Sequence, residues 1–197
     1  MSTVCRTGAS SMLLVALGWG PMLAEVPSSE RQFDIAPVWS GHPVGFALLT
    51  HSKQQLVAFY DADRRMTIGA RLLDESNWRL VRVPTVLGWD SHNYVTLAVD
   101  SAGQIHVSGN MHCHPLVYFR TERPGDITSF RQFPAMVGRN EERCTYPRFL
   151  HGPKGELIFT YRDGRSAVAI STATCTMPRP RPGGVWSSLR CSRAMGR

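Results

Sequence analysis

Four of the chain's seven histidines, His92, His106, His112 and His114, fall between residues 90 and 121. His92 stands just before an apolar run over 93–99, "DSAG" reads as a turn, and His112 follows a second run over 104–109. If the two runs pair antiparallel, the residue before the first and the residue after the second meet at one sheet edge. The rhythm returns further along. Tyr146 precedes a run at 147–151, "GPKG" turns, and Arg162 follows the returning run at 156–161. Two histidines, a tyrosine and an arginine are therefore expected to gather on one face.

These side chains suit removal of a proton beside a carboxylate. The C5 proton of a uronic acid is weakly acidic until its carboxylate is neutralised, which an arginine or a cationic histidine achieves by charge-assisted hydrogen bonding. A histidine or tyrosine then takes the proton, and another group protonates the departing O4 oxygen. Glycoside hydrolysis usually needs two carboxylates flanking the bond. Only Asp90 and Asp163 lie near this face, so elimination fits better than hydrolysis.

The elements that must position these groups read as β-structure. Residues 51–83 and 100–133 share a pattern of short alternating strands separated by polar turns, and 152–164 begins it again. Gly103 and Gly155 lie 52 residues apart, and Gln54 precedes Gly103 by 49. Four strands per roughly 50 residues is the period of a β-propeller blade. No segment between 40 and 165 has the periodicity of a long amphipathic helix. The expected class is all-β, a fragment of about two to three propeller blades; a sandwich built from similar hairpins is the alternative.

Charge and targeting narrow the setting. Of the formal net charge of +7, the five arginines of 166–197, a stretch with no Asp or Glu, supply five units, leaving +2 on residues 1–165. A nucleic-acid partner therefore loses its main support. Residues 1–25 resemble a secretory leader, with Arg6 ahead of the short apolar stretch "MLLVALGWGPML", which points to a secreted or periplasmic protein with no membrane span in the mature chain. The five cysteines form no CxxC pair; within the propeller region only Cys113 and Cys144 remain, as a pair or as two buried thiols. Cys113 and His114 beside His112 raise the question of zinc, but strand alternation sends successive side chains to opposite faces. No cofactor is expected, with a structural ion left open.

Beyond Ser166 the strand pattern stops. The stretch 167–197 has neither acids nor Tyr or Phe, and a shifted frame over Ala167–Arg179 permits an alternating aromatic strand. Continuing over Arg181–Trp186 it permits a Trp-Arg motif like "NWRLV" at 77–81. The domain reading is thus a leader at 1–25, a partial propeller at 26–165, and an out-of-frame, disordered tail at 166–197, with the fragment inactive by itself.

The blocks "GWDSHNYVTLAVDSAGQIHVSGNMHCHPLVYFR" and "TYPRFLHGPKGELIFTYRDG" resemble the BNR-repeat proteins related to ulvan lyases, a group of seven-bladed-propeller polysaccharide lyases, over roughly residues 40–165. The resemblance implies an active site of His92, His112, Tyr146 and Arg162, acting as a monomer on an acidic polysaccharide. Arg162 and His112 would neutralise the carboxylate, and His92 and Tyr146 would share the base and acid roles, in an order left open. Asn93 and Asn110 are candidates for binding sugar hydroxyls or for turn duty, and Trp89 for a sugar platform or a core wall. Structural readings stand beside these. The histidines could cap loops through backbone carbonyls, Tyr146 could lie in the core, and Arg162 could pair with Asp163, Asp90 or Glu156. A non-catalytic glycan-binding propeller is the functional alternative.

Overall fold

The computed structural model describes residues 31–164, other than 137 and 139, together with the strand backbones at 171–177 and 190–194. The leader region and the side chains of the C-terminal stretch lie outside the described residues. All that follows concerns the unit Phe33–Arg197.

Three antiparallel meanders follow one another along the chain. The first runs β1 (Ala47–His51), β2 (Gln54–Tyr60), β3 (Arg65–Leu72) and β4 (Arg79–Val86). The second uses β5 (Val95–Val99), β6 (Ile105–Gly109), β8 (Tyr118–Thr121) and β9 (Phe130–Gln132). The third uses β10 (Cys144–His151), β11 (Leu157–Asp163), β12 (Ser171–Met177) and β13 (Arg190–Ala194). A short strand, β7 (His112–His114), leaves the second sheet and pairs with the edge of the third, on β10. The architecture is all-β, a fragment of blades.

Alternation decides where the core lies. Leu56, Ala58 and Tyr60 of β2 pack with Leu97 and Val99 of β5, Ile105 and Val107 of β6, and Phe119 of β8 between the first two sheets. The intervening positions, Ala98 and Tyr118, face the third sheet, where they meet Cys144, Leu157, Phe159 and Tyr161. The middle sheet is thus covered on both sides, and every residue of β6 is buried. A two-sheet sandwich has no such doubly covered sheet. The arrangement also explains why His106 sits in a strand: fully buried, it faces the second interface, bonded through Nδ1 to the Tyr118 hydroxyl at 2.7 Å and through Nε2 to Asp100 at 3.1 Å.

The turns are chemically specified. In the β5–β6 turn the Asp100 carboxylate accepts the Ala102 and Gln104 N–H groups, both at 2.9 Å, and Gly103 takes φ +80°. The β10–β11 turn repeats this with Gly155 at φ +73° and the Glu156 carboxylate on the Lys154 N–H. At the other end of the β5–β6 hairpin, a Cβ on Gly109 would lie 2.6 Å from the Tyr94 carbonyl oxygen. Only glycine permits that approach, which draws the two ends of the hairpin together.

The backbone departs from the expected end of the strands at Ser166. β12 pairs with β11 from Leu157↔Met177 to Asp163↔Ser171, and β13 pairs with β12. Ladder pairing is backbone work, and the open edge of β11 accepts it without the alternating side-chain pattern on which the sequence reading relied. Cys113 and Cys144 are not joined by a disulfide. Burial, followed by the nearby Glu141 carboxylate, pushes the Cys144 thiol well up.

Candidate active site

The loop between β4 and β5 carries the first half of the site. Asp90 forms an Asx turn, its Oδ1 accepting the His92 N–H at 2.8 Å while its carbonyl accepts the Asn93 N–H at 3.1 Å. The Asn110 side chain clamps the loop, accepting the Gly88 N–H at 3.0 Å and donating to Thr85 Oγ1 and the Val86 carbonyl, each at 2.8 Å. Asn93 is only 4% exposed, and its carbonyl accepts the Tyr60 hydroxyl at 2.6 Å. The Asn110 side chain thus holds the loop, whereas Asn93 contributes backbone bonds and its Oδ1 is buried without a hydrogen-bond partner among the described residues.

Register supplies the second half. Thr145 on β10 pairs with His112 on β7 on one side and with Arg162 on β11 on the other. Residues opposite one another in antiparallel ladders project to the same face, so His112 and Arg162 flank Thr145. Beyond Thr145 the β10–β11 register slips, and within that bulge Tyr146 adopts φ +57°. A left-handed conformation costs a bulky residue on the order of 1 kcal/mol or more, and a bulge re-aims the side chain it carries. Here the displaced ring comes to the histidines.

All four candidates converge. The His92 and His112 ring centres are 4.2 Å apart, and the Tyr146 ring lies 5.6 Å from His92. The Arg162 guanidinium carbon sits 4.8 Å from the centre of the Tyr146 ring, and Tyr94 stacks on its own side at 6.2 Å. Burial pushes the Tyr94 phenol up, against the pull of Arg148. Tyr146 is exposed, not a core residue, and among the described residues no carboxylate pairs with Arg162. Its Nε is buried without a hydrogen-bond partner there, while one terminal nitrogen approaches the Cys113 sulfur at 3.9 Å.

The carboxylate that organises the site is one the sequence reading treated only as a neighbour. Asp90 Oδ1 bonds His92 Nδ1 at 2.5 Å and Oδ2 bonds His112 Nδ1 at 2.5 Å. Desolvation alone would raise its pKa. The His92 backbone N–H and the two imidazoles outweigh that and hold the carboxyl far below the usual carboxylate range. An ionised Asp90 can only accept, so each imidazole carries a proton on Nδ1. The basic nitrogen of a neutral His92 is consequently Nε2. The signal in the sequence was the D-x-H spacing, which lets one Asx turn hold both the backbone and the ring of the same histidine.

Among the described residues, Asp90, His92 and His112 also form the one group of metal-ligating types, their donor atoms lying within 4.8 Å of one another. The oxygens that would take an ion already accept the two Nδ1–H groups. Cys113 and His114, considered for zinc from the sequence, do not join the group. No helix among the described residues is long and apolar enough to cross a membrane.

Comparison with known proteins bears on the fold. The crystal structure of the polysaccharide lyase Uly1 superposes with a TM-score of 0.61 at 16% identity, covering 85% of this chain and 45% of that one. An ulvan lyase of polysaccharide lyase family PL25, bound to -[GlcA(1-4)Rha3S]-, gives a TM-score of 0.57 at 14% identity, covering 72% of this chain and 37% of that one. A further PL25 ulvan lyase structure gives 0.53 at 16% identity over 72% and 35%. At these identities the likeness is one of fold, and this chain spans less than half the length of each lyase. No protein with a curated description matches. The sequence profile of the BNR repeat-containing family matches residues 54–176, which is more than half of the chain and reaches into each of the three sheets. The chain belongs to the BNR repeat-containing family.

Proposed function

We propose that this protein is the site-bearing part of a secreted polysaccharide lyase that cleaves a uronate-containing acidic glycan, ulvan-like in character, by β-elimination. The observation that carries the reading is the Asp90-bridged pair of histidines facing an exposed tyrosine and an arginine that, among the described residues, has no carboxylate partner. Arg162 carries the guanidinium that meets the substrate carboxylate; its buried Nε, without a partner among the described residues, is a donor for a ligand oxygen. His112, in its cationic form, adds a second donor to the same group. His92 or Tyr146 takes the C5 proton, the C4–O4 bond breaks, the electron pair forms the C4=C5 double bond, and the other of the two protonates O4. The relative bound to a glucuronate–rhamnose sulfate supports the substrate class.

The test incubates two proteins with ulvan and other uronate polysaccharides: this chain, and the chain joined to downstream coding sequence in the shifted frame. Far-ultraviolet absorbance follows the unsaturated ends. The extended protein is expected to generate them; hydrolysis creates no such double bond. Glycan binding by both proteins with no unsaturated product from either would favour the non-catalytic glycan-binding reading.

A further inference from the structure

Immediately upstream of Asp90, Trp89 is 71% exposed, the largest exposure among the bulky apolar side chains of the described residues. It does not stand alone. The Trp39 ring meets it edge-on at 5.3 Å, and the His42 ring lies tilted toward it at 5.5 Å. The Arg64 guanidinium carbon sits 5.6 Å from the Trp89 ring and 5.7 Å from the Trp39 ring. Three flat groups from two separate segments thus converge around one exposed indole.

Several features hold this cluster in place. Trp39 pairs its backbone N–H with the Tyr60 carbonyl at 3.0 Å, anchoring it to the first sheet. A Cβ on Gly41 would lie 2.1 Å from the Trp39 ring, so glycine is required for the indole to fold over its own chain. Arg64 is held at φ +62°, with one nitrogen on the Leu87 carbonyl at 3.3 Å. Among the described residues it has no carboxylate partner. The fourth feature is chemical. Trp39 Nε1 donates to His42 Nδ1 at 3.1 Å, so that nitrogen carries a lone pair and the proton must be on Nε2. His42 Nε2 is buried with no acceptor among the described residues. Buried donors are rarely left so, and this one sits beside an uncompensated cation and an exposed aromatic face.

We infer that Trp89, Trp39, His42 and Arg64 form a subsite for an anionic pyranose, next to the elimination site. The Trp89 face stacks on the apolar face of the ring, Arg64 takes a sulfate or carboxylate oxygen, and His42 Nε2–H donates to a sugar oxygen. A cation held against two indoles is a poor site for a neutral, apolar ligand, whereas a charged sugar offers both surfaces at once. The inference rests on the glycan-directed reading of the protein, but it concerns binding and not turnover.

The experiment titrates the chain with a glucuronate–rhamnose sulfate oligosaccharide, its desulfated form and a neutral rhamnose oligosaccharide, following tryptophan fluorescence and calorimetric heat. Trp89→Ala is expected to weaken binding of the charged sugars about ten-fold without lowering the unfolding temperature, because the ring is exposed. Arg64→Gln is expected to erase the preference for charged over neutral sugar, and the desulfated arm tells whether sulfate or carboxylate is the group it holds. If the parent binds and Trp89→Ala and Arg64→Gln bind equally well, the subsite is overturned while the elimination site stands. If turnover is absent yet both variants lose affinity as described, the subsite stands and the lyase reading falls. No binding of any of the three sugars by the parent overturns the subsite.

Discussion

At the turn end of the β5–β6 hairpin, Asp100, His106 and Tyr118 are buried together. At its open end, Asp90, His92 and His112 are gathered around an exposed tyrosine. Both clusters are a carboxylate with imidazole, and both carboxylates also cap a turn. They differ in which nitrogen bears the proton. Asp100 holds His106 through Nε2, and the other nitrogen accepts the Tyr118 hydroxyl, so all the polar capacity of the ring is used inside the protein. Asp90 holds its histidines through Nδ1, which leaves Nε2 of His92 as the basic atom on a half-exposed ring. One cluster fastens neighbouring strands and a turn of the middle sheet; the other leaves an unbonded ring nitrogen toward solvent. Burial and the choice of nitrogen separate the two roles, and residue type alone does not.

The sharpest way to break this contrast is to delete one histidine from each end. In the protein extended in the shifted frame, His92→Ala, and separately Tyr146→Phe, should each cost at least about 100-fold in the rate of unsaturated-product formation, as loss of a general acid or base does. Their unfolding temperatures should barely move, since neither ring fills the core. A parental rate in either variant would remove that residue from the acid–base pair.

His106→Phe should do the reverse. The buried Tyr118 hydroxyl and Asp100 lose their shared partner, and each unsatisfied buried group costs about 1–3 kcal/mol. A drop of that size in urea-unfolding free energy is expected, with turnover per folded molecule unchanged. Unaltered stability would mean that the buried cluster is not the fastening the geometry implies.

Asp90→Asn probes the shared device more gently. An amide can still accept from one Nδ1–H, but its nitrogen then faces the other ring with a donor, which forces that imidazole to the opposite tautomer. Losing an orienting carboxylate typically costs ten-fold or more, so a fall of about ten-fold in turnover is expected. Nitrogen-15 NMR should show one histidine switching tautomer. Asp90→Glu should restore part of the rate if orientation is what matters; a variant that keeps both tautomers and the parental rate would leave Asp90 a turn-former only.

How much of this was legible in the sequence follows from what kind of interaction each part uses. The strands and turns were readable because alternation and Asp/Gly turn chemistry are local, and the convergence of His92, His112, Tyr146 and Arg162 followed from antiparallel topology. The cross-sheet pairing of β7 with β10, which sets His112 beside Thr145, was not readable, because it joins distant segments, with the Cys113 N–H reaching the Thr145 hydroxyl 32 positions on. Asp90 was visible as a residue but not as the hub, since its second bond spans 22 positions. The loop-holding work of Asn110 was one of two open readings, and it shows only through three partners 22 to 25 positions away. His106 illustrates the remaining difficulty: a histidine between Ile105 and Val107 reads as a strand residue, and nothing local tells that both faces of its sheet are covered.

The two clusters should also respond to acid in different windows. Burial holds the His106 pKa below its ordinary value, against the pull of Asp100. On acidification the unfolded chain therefore takes up the imidazole proton first, at about pH 6.5, while the native protein resists it. The stability that His106 contributes is present above that pH and is lost as pH falls toward its lower native value, with a slope of at most about 1.4 kcal/mol per pH unit for one proton. Asp90, whose native pKa is depressed, behaves with the same sign but later: its contribution is intact above about pH 4 and is lost only below that. Urea-unfolding free energies measured between pH 7 and pH 5 should accordingly decline in the parent and in Asp90→Asn. The decline should flatten in His106→Phe, because that variant has no buried imidazole to titrate. An equal decline in all three would assign the acid sensitivity elsewhere and remove the distinction between a fastening histidine and a presenting one.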